Sequence, residues 1–168
     1  MARLLELNAI EFSRFVKPGD GVIWGQGAAE PTPLTGALMA QRREIGRFNV
    51  FLGATWSDTC SPEHTDCVRF SAYCGAGSNR RLAAAGALDP LPCHYSQFGD
   101  LIRGGNLRAD VLLLQLAERD GQYSLSMAHE YLLPALEAAR VVIAEVNAQA
   151  PFTFGERMLG ESDIDVLV

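Results

Sequence analysis

Positive charge is scarce in this chain, and lysine is almost missing from it. Lys17 is the only lysine among 168 residues, and the 14 basic residues face 20 acidic ones, for a net charge of −6. Such a balance leaves no basic face of the kind that sequence-independent binding to nucleic acid requires. A Schiff-base or phosphate-loop lysine would have to be Lys17, which stands in KPGDG, a turn sequence. There is no G-K-[ST] after a glycine run and no G-x-S-x-G elbow, so neither a Walker loop nor an α/β-hydrolase nucleophile is written here. The four cysteines, Cys60, Cys67, Cys74 and Cys93, show none of the C-x2-C pairs of structural zinc sites. Ordinary reduced thiols and no bound metal are the expectation. Apolar runs are too short to cross a membrane, and the opening MARLLELNAIEFSRFV mixes charge into its apolar positions without a cleavage site. The expected setting is the cytoplasm, with neither membrane nor nucleic acid as partner.

What is present is a globular composition, 48% hydrophobic and 20% charged, in a length that suits one domain, residues 1–168. Residues 3–16 carry apolar side chains at helical intervals and predict an amphipathic helix, stopped by Lys17-Pro18-Gly19-Asp20. Gly21–Trp24 reads as a short buried strand, 31–45 as a helix with prolines in its first turn and Gly46 at its end, and Phe48–Leu52 as the next strand. Residues 54–67 read as irregular, Val68–Tyr73 as a strand, 78–86 and 97–102 as short helices, and 128–139 as a helix weakened by Pro134. The runs at 109–116 and 141–146 are continuously apolar, as strands covered on both faces are, and 164–168 predicts a last strand. Strands alternating with helices predict an α/β fold with a mostly parallel sheet flanked by helices. In such a sheet ligands gather at the carboxyl ends of the strands.

The loop in GVIWGQGAAEP, residues 21–31, is the first strand end to consider. Gly25-Gln26-Gly27 offers G-x-G between strand and helix, but Glu30 replaces the third glycine of a dinucleotide fingerprint. An acid there opposes a pyrophosphate at the helix start and by itself simply complements the helix dipole. No ribose-binding acid closes the second strand, where Leu52-Gly53-Ala54-Thr55 stands, so no nicotinamide nucleotide is expected. Ser124 and Ser126 lie near His129, yet a loop serine bonding to local backbone is the simpler reading. Gly75-Ala76-Gly77-Ser78 before Arg80 and Arg81 could receive an anion or could merely open a solvated helix.

Four stretches in order carry a family likeness: GVIWGQGAAEPTPLTGAL, FSAYCGAGSNRRLAAAGALDPLPCHYSQFGDLI, ADVLLLQLAERDGQYSLS, and ARVVIAEVNAQAPFTFGE with SDIDVLV after it. Together they resemble the N-terminal domain of the acetyl-CoA hydrolase/transferase family, the family I CoA-transferases of the butyrate, 4-hydroxybutyrate and succinyl/acetate type, over residues 20 to 168. Ala148 stands where the family usually has proline, and Ser126 where it often has glycine. The resemblance implies a CoA-transferase/NagB-like, Rossmann-type domain. It implies coenzyme A, as acyl-CoA, for substrate with a small carboxylate as acceptor, and a homo-oligomer. It also implies covalent catalysis by a glutamate that attacks the thioester and lies in a C-terminal domain. Nothing here matches that residue, so Glu30, Glu118 and Glu145 are not assigned to it. On this reading the chain lacks the catalytic domain and needs it as a further segment or a partner subunit. Its own contribution is the acyl or carboxylate wall: Gly25, Gln26 and Gly27, then Asp120, Tyr123 and Ser124, and Asn147. The competing expectation is a non-catalytic module that binds acyl-CoA or a carboxylate.

Overall fold

The computed structural model describes residues 2–168. It is built on a mostly parallel sheet with helices on both faces, as the alternating pattern predicts. In chain order the strands are β1 (Arg3–Leu4), β2 (Gly21–Trp24), β3 (Phe48–Leu52), β4 (Val68–Ala72), β5 (Leu88–Pro90), β6 (Val111–Arg119), β7 (Gln122–Ser124), β8 (Val141–Val146) and β9 (Val166–Leu167). The helices are α1 (Thr32–Ile45), α2 (Asn79–Ala84), α3 (Phe98–Arg103) and α4 (Leu132–Ala138). The sheet order is β1-β9-β8-β6-β2-β3-β4-β5, all parallel, with β7 antiparallel to the end of β6.

The continuous apolar runs are explained by burial on two sides. Alternate residues of β6 point opposite ways. Val111 and Leu113 join Trp24, Leu34, Leu38 and Phe70 in the core beneath α1. Leu112, Leu114 and Leu116 join Phe51, Phe98, Leu132 and Ala135 beneath α3 and α4. Strand order turns at β2: the chain runs outward through β3, β4 and β5, then returns to β6 on the other side of β2 and runs out through β8 and β9. A crevice opens outside the strand ends at such a reversal.

The expected helix over residues 3–16 does not form. Arg3–Leu4 pairs in parallel with Val166–Leu167, and only two 3-10 turns follow, Leu7–Ala9 and Phe12–Arg14. Gln41 of α1 holds the segment open: its Oε1 accepts from the Phe12 N–H at 2.8 Å, and its Nε2 donates to the Ile10 carbonyl at 2.9 Å. Ile10, Phe12 and Val16 still bury their side chains in the α1 core. The helical spacing of apolar residues was matched to a groove, and tertiary bonds replaced the helical ones. The helix expected over 128–139 is shortened to start at Leu132, which puts Pro134 in its first turn, where no N–H is missed. Two short strands, β5 and β7, fall in stretches that read as loop and turn.

KPGDG is the turn its sequence indicates. Asp20 is buried, accepts from the Lys17 N–H at 2.8 Å and pairs with Arg140 at 2.7 Å. Lys17 therefore lies at the amino ends of the strands, on the far edge of the sheet from the crevice. No helix among the described residues is long and apolar enough to cross a membrane.

Candidate functional site

At the carboxyl end of β2, Gly25 lets the chain double back. A Cβ there would meet the Ala29 carbonyl oxygen at 2.6 Å, and the turn Gly27–Ala29 could not close. Gly27 takes a positive φ of 57°. The loop presents Gln26, whose amide is bonded on every side. Its Oε1 accepts from the Tyr73 hydroxyl at 2.7 Å and from the Ala54 N–H at 3.1 Å. Its Nε2 donates to Glu130 at 2.8 Å and to the Tyr95 hydroxyl at 3.0 Å. Gln26 thus ties together the ends of β2, β3 and β4, the loop after β5, and the entry to α4. Gly53 makes room for it: a Cβ at that position would lie 2.4 Å from the Gln26 Cβ and 2.6 Å from the Tyr131 hydroxyl. Tyr131 in turn donates to the Trp24 carbonyl at 3.1 Å. Burial raises the hydroxyls of Tyr73, Tyr95 and Tyr131, with neighbouring charge adding to it, so all three stay protonated donors.

Over this loop lies Trp56, 69% exposed. The space of a Cβ on Gly27 or on Gly77 would fall 3.1 Å from its indole, so two glycine turns form its seat.

The hairpin β6–β7 extends past the end of β8, where Leu116 pairs with Val146. Asp120, at φ 52°, and Gly121, at φ 76°, form its turn, and Asp120 is exposed. Tyr123 is buried and exchanges backbone hydrogen bonds with Leu159. Ser124 is 1% exposed; its Oγ donates to the Thr153 carbonyl at 2.6 Å and accepts from the Ser126 N–H at 3.0 Å. Its bonds go to backbone rather than to His129, the simpler of the two readings. Ser126, at φ 58°, donates to the Pro151 carbonyl. Arg119 lies 4.4 Å over the Phe152 ring, so hairpin and tail hold each other. Arg81 pairs with Asp58 at 2.5 Å, and the helix it belongs to is only six residues long.

Asn147 follows β8. It donates to Gln115 Oε1 at 3.0 Å, and Gln115 donates to the Ala28 carbonyl at 2.9 Å, so β8, β6 and the β2 loop are linked in a row. These residues face an open cavity of about 570 Å³ that Glu30 and Glu145 also line. Both carboxyls are nine-tenths buried. Burial raises Glu30, against hydrogen bonds from Ser57, Thr35 and Thr59 that lower it. Burial pushes Glu145 up to about 7, with the Leu34 N–H at the start of α1 pulling the other way. Burial, helped by the neighbouring Glu30, also raises the thiol of Cys60 far out of the reactive range.

The structure therefore sorts the expected residues into three places: Gly25, Gln26 and Gly27 at the end of β2, Asp120, Tyr123 and Ser124 on the hairpin, and Asn147 at the acidic cavity. Sequence reading did not single out Trp56, Tyr73, Tyr95, Glu130 or Gln115. Gln115 alone carried a signal, as the one polar residue inside VLLLQL.

The comparisons with known proteins bear on the family and the fold. The model of the acetyl-CoA hydrolase/transferase N-terminal domain matches residues 5–167. A 4-hydroxybutyrate coenzyme A transferase of Clostridium kluyveri is 32% identical over 151 residues, which are 88% of this chain and 35% of that protein. The structure of 4-hydroxybutyrate CoA-transferase from Porphyromonas gingivalis covers 99% of this chain with 38% of its own, at 25% identity and a TM-score of 0.68. The crystal structure of RipA from Yersinia pestis covers 98% with 41% of its own, at 22% identity and a TM-score of 0.84, a likeness of fold. The chain spans little more than a third of the length of the curated relatives it matches. A match across nearly every residue, on a sheet whose glycine loop stands at the strand reversal, places the chain in the acetyl-CoA hydrolase/transferase family, as its N-terminal domain.

Proposed function

We propose that this domain serves an acyl-CoA:carboxylate CoA-transferase or acetyl-CoA hydrolase and supplies the acyl or carboxylate wall of the site. The nucleophilic glutamate then comes from a C-terminal domain outside these 168 residues, in the same polypeptide or in a partner subunit. The observation that carries the reading is the family match over 5–167 joined to the glycine loop at the β2 end. A carboxylate is a weak nucleophile and depends on a site that positions it and stabilises the developing oxyanion. The Gly27 N–H is already given to the Ala54 carbonyl at 2.8 Å, which leaves the backbone N–H groups of Gly25 and Gln26 for that task. Gln26 acts from behind: with its amide fully bonded inside the protein, it sets the loop rather than gripping substrate. Asn147 acts through Gln115 in the same way.

The test is a transfer assay between acetyl-CoA and butyrate, with this chain alone and with a separately produced C-terminal domain of a relative. No turnover alone and turnover on complementation is the expected pair of results; robust turnover by the chain alone would sink the proposal. Acyl-CoA binding without turnover under any complementation points instead to a non-catalytic binding module.

A further inference from the structure

On the face of the sheet that carries α3 and α4, the outer strands lie open. Asn49 of β3 points to the same side as Phe51, and Arg69 and Ser71 of β4 stand beside these two in register. Asp89 of β5 stands beside Ser71 in turn. Phe51 is packed under α3 and α4, but the side chains of Arg69 and Asp89 are 75% and 57% exposed. Two cavities of about 420 and 340 Å³ lie over this part of the sheet and share Asn49, Arg69 and Asp89 in their walls. They form one groove along β3 and β4.

Three arginines from separate segments converge on it. Arg47, between α1 and β3, and Arg108, before β6, meet at Gly19. The Gly19 N–H donates to the Arg47 carbonyl at 2.7 Å, and Arg108 Nη1 donates to the Gly19 carbonyl at 3.1 Å. Asn49 donates to that same carbonyl at 3.1 Å. Gly21 lets Arg108 come this near, because a Cβ there would lie 2.3 Å from the Arg108 carbonyl oxygen. Accessible N–H groups remain on all three. Arg69 gives its Nε to Asp89 at 2.7 Å, which leaves both terminal amino groups. Arg108 gives Nη1 to Gly19 and Nη2 to Asp110 at 2.8 Å, which leaves its Nε. Arg47 is exposed, and among the described residues no acid pairs with it. Against these guanidinium groups the groove carries one carboxylate, Asp89; Asp20 and Asp110 hold Arg108 from outside its walls.

We propose that this groove binds a phosphate dianion, free or as the head of a small organic ester, between Arg47, Arg69 and Arg108. Guanidinium groups bond phosphate oxygens in pairs, and a tetrahedral dianion accepts from several directions where a planar carboxylate does not. The exposed pair of Arg69 with Asp89 contributes little by itself, so a dianion on the free side of Arg69 displaces nothing of weight. The chain as a whole is acidic, at −6, so direct contact has to hold the ligand rather than attraction from a distance. The volume leaves room beside the phosphate for an organic body. The groove reaches the amino ends of β3 and β4, away from the glycine loop at the carboxyl end of β2. The inference does not rest on the transferase reading, and its test involves no thioester.

The chain is titrated by calorimetry, at constant pH and ionic strength, with inorganic phosphate, phenyl phosphate and succinate. Saturable one-to-one binding of the two phosphates is expected, weakened about tenfold or more in Arg47→Gln and in Arg69→Gln and unchanged in Arg157→Gln. Should a variant fail to fold, the ¹⁵Nε resonance of Arg69 in the unaltered protein gives the same answer, by shifting with the titration. Phenyl phosphate binding the tighter identifies an organic ester as the natural occupant; equal binding identifies phosphate itself. Succinate binding at least as tightly as either phosphate overturns the assignment to phosphate. No saturable binding of either phosphate, or binding untouched in both Arg47→Gln and Arg69→Gln, overturns the site.

Discussion

Gln26 shows how a single polar side chain can organise five pieces of a strand-end surface. Removing it in Gln26→Ala leaves the Ala54 N–H, two tyrosine hydroxyls and Glu130 without their shared partner. A destabilisation of about 1–3 kcal/mol is expected, measured by urea unfolding, together with a fall in transfer by the complemented enzyme. Stability lost with transfer kinetics intact would reduce the loop to a connector. Gly53→Ala drives a methyl into the Gln26 Cβ and the Tyr131 hydroxyl, and overpacking of this kind costs about 1–3 kcal/mol. Glu145 gives a pH test. Its carboxyl is raised from an ordinary 4.5 to about 7, so the folded state binds the proton more tightly than the unfolded one. That contribution is fully present below pH 4.5 and is lost as pH rises through 7. Glu145→Gln is therefore expected to match the unaltered protein near pH 5 and to exceed it in stability at pH 8, by at most about 3 kcal/mol. A gap that does not widen between those pH values would contradict this.

At the level of elements, the hairpin β6–β7 and the tail after β8 form one unit closed by Ser124. Its hydroxyl makes three bonds to backbone, two of them with Thr153. Ser124→Ala is expected to cost about 1–3 kcal/mol and to expose residues 150–156 to limited proteolysis, with the sheet itself unaffected. A tail equally resistant in the variant would mean that packing of Phe152 on Arg119 suffices. The amino-terminal segment makes the complementary point. Its apolar spacing was legible, and so was the burial of Phe12 and Val16, but its conformation was decided by Gln41 and by pairing with β9. Helix α1 met none of this competition; two prolines at its start and Gly46 at its end mark bounds close to the observed Thr32–Ile45.

For the whole molecule, the exposed large apolar side chains have a pattern. Trp56, Tyr95, Met127, Val146 and Phe154 all stand on segments at or beyond the carboxyl edge of the sheet, and among the described residues only Leu4 lies elsewhere. Apolar side chains gathered into one contiguous patch would suit an interface. The reading of this chain as the N-terminal domain of a transferase predicts that it self-associates, or binds a C-terminal domain, through that edge. Light scattering is expected to show a species larger than a monomer, and Trp56→Ser with Phe154→Ser to shift it toward monomer while leaving the circular dichroism unchanged. A monodisperse monomer at high concentration would argue against the edge as an interface.

The order and type of the central elements were determined by sequence, because a parallel strand covered on both faces has to be apolar along most of its length, and VLLLQL and VVIAEV are, with one polar residue each near the carboxyl end. The family likeness was legible for the same reason, since its motifs sit where strands end. Only the tertiary structure decided what those ends do together. Gln26 reaches residues 28 to 104 positions away, and Glu30 and Glu145 meet at one cavity from opposite halves of the chain. Spacing along a chain reports the face of a helix or strand. It does not report which buried carboxylates share a space, because that depends on the order in which the strands pair.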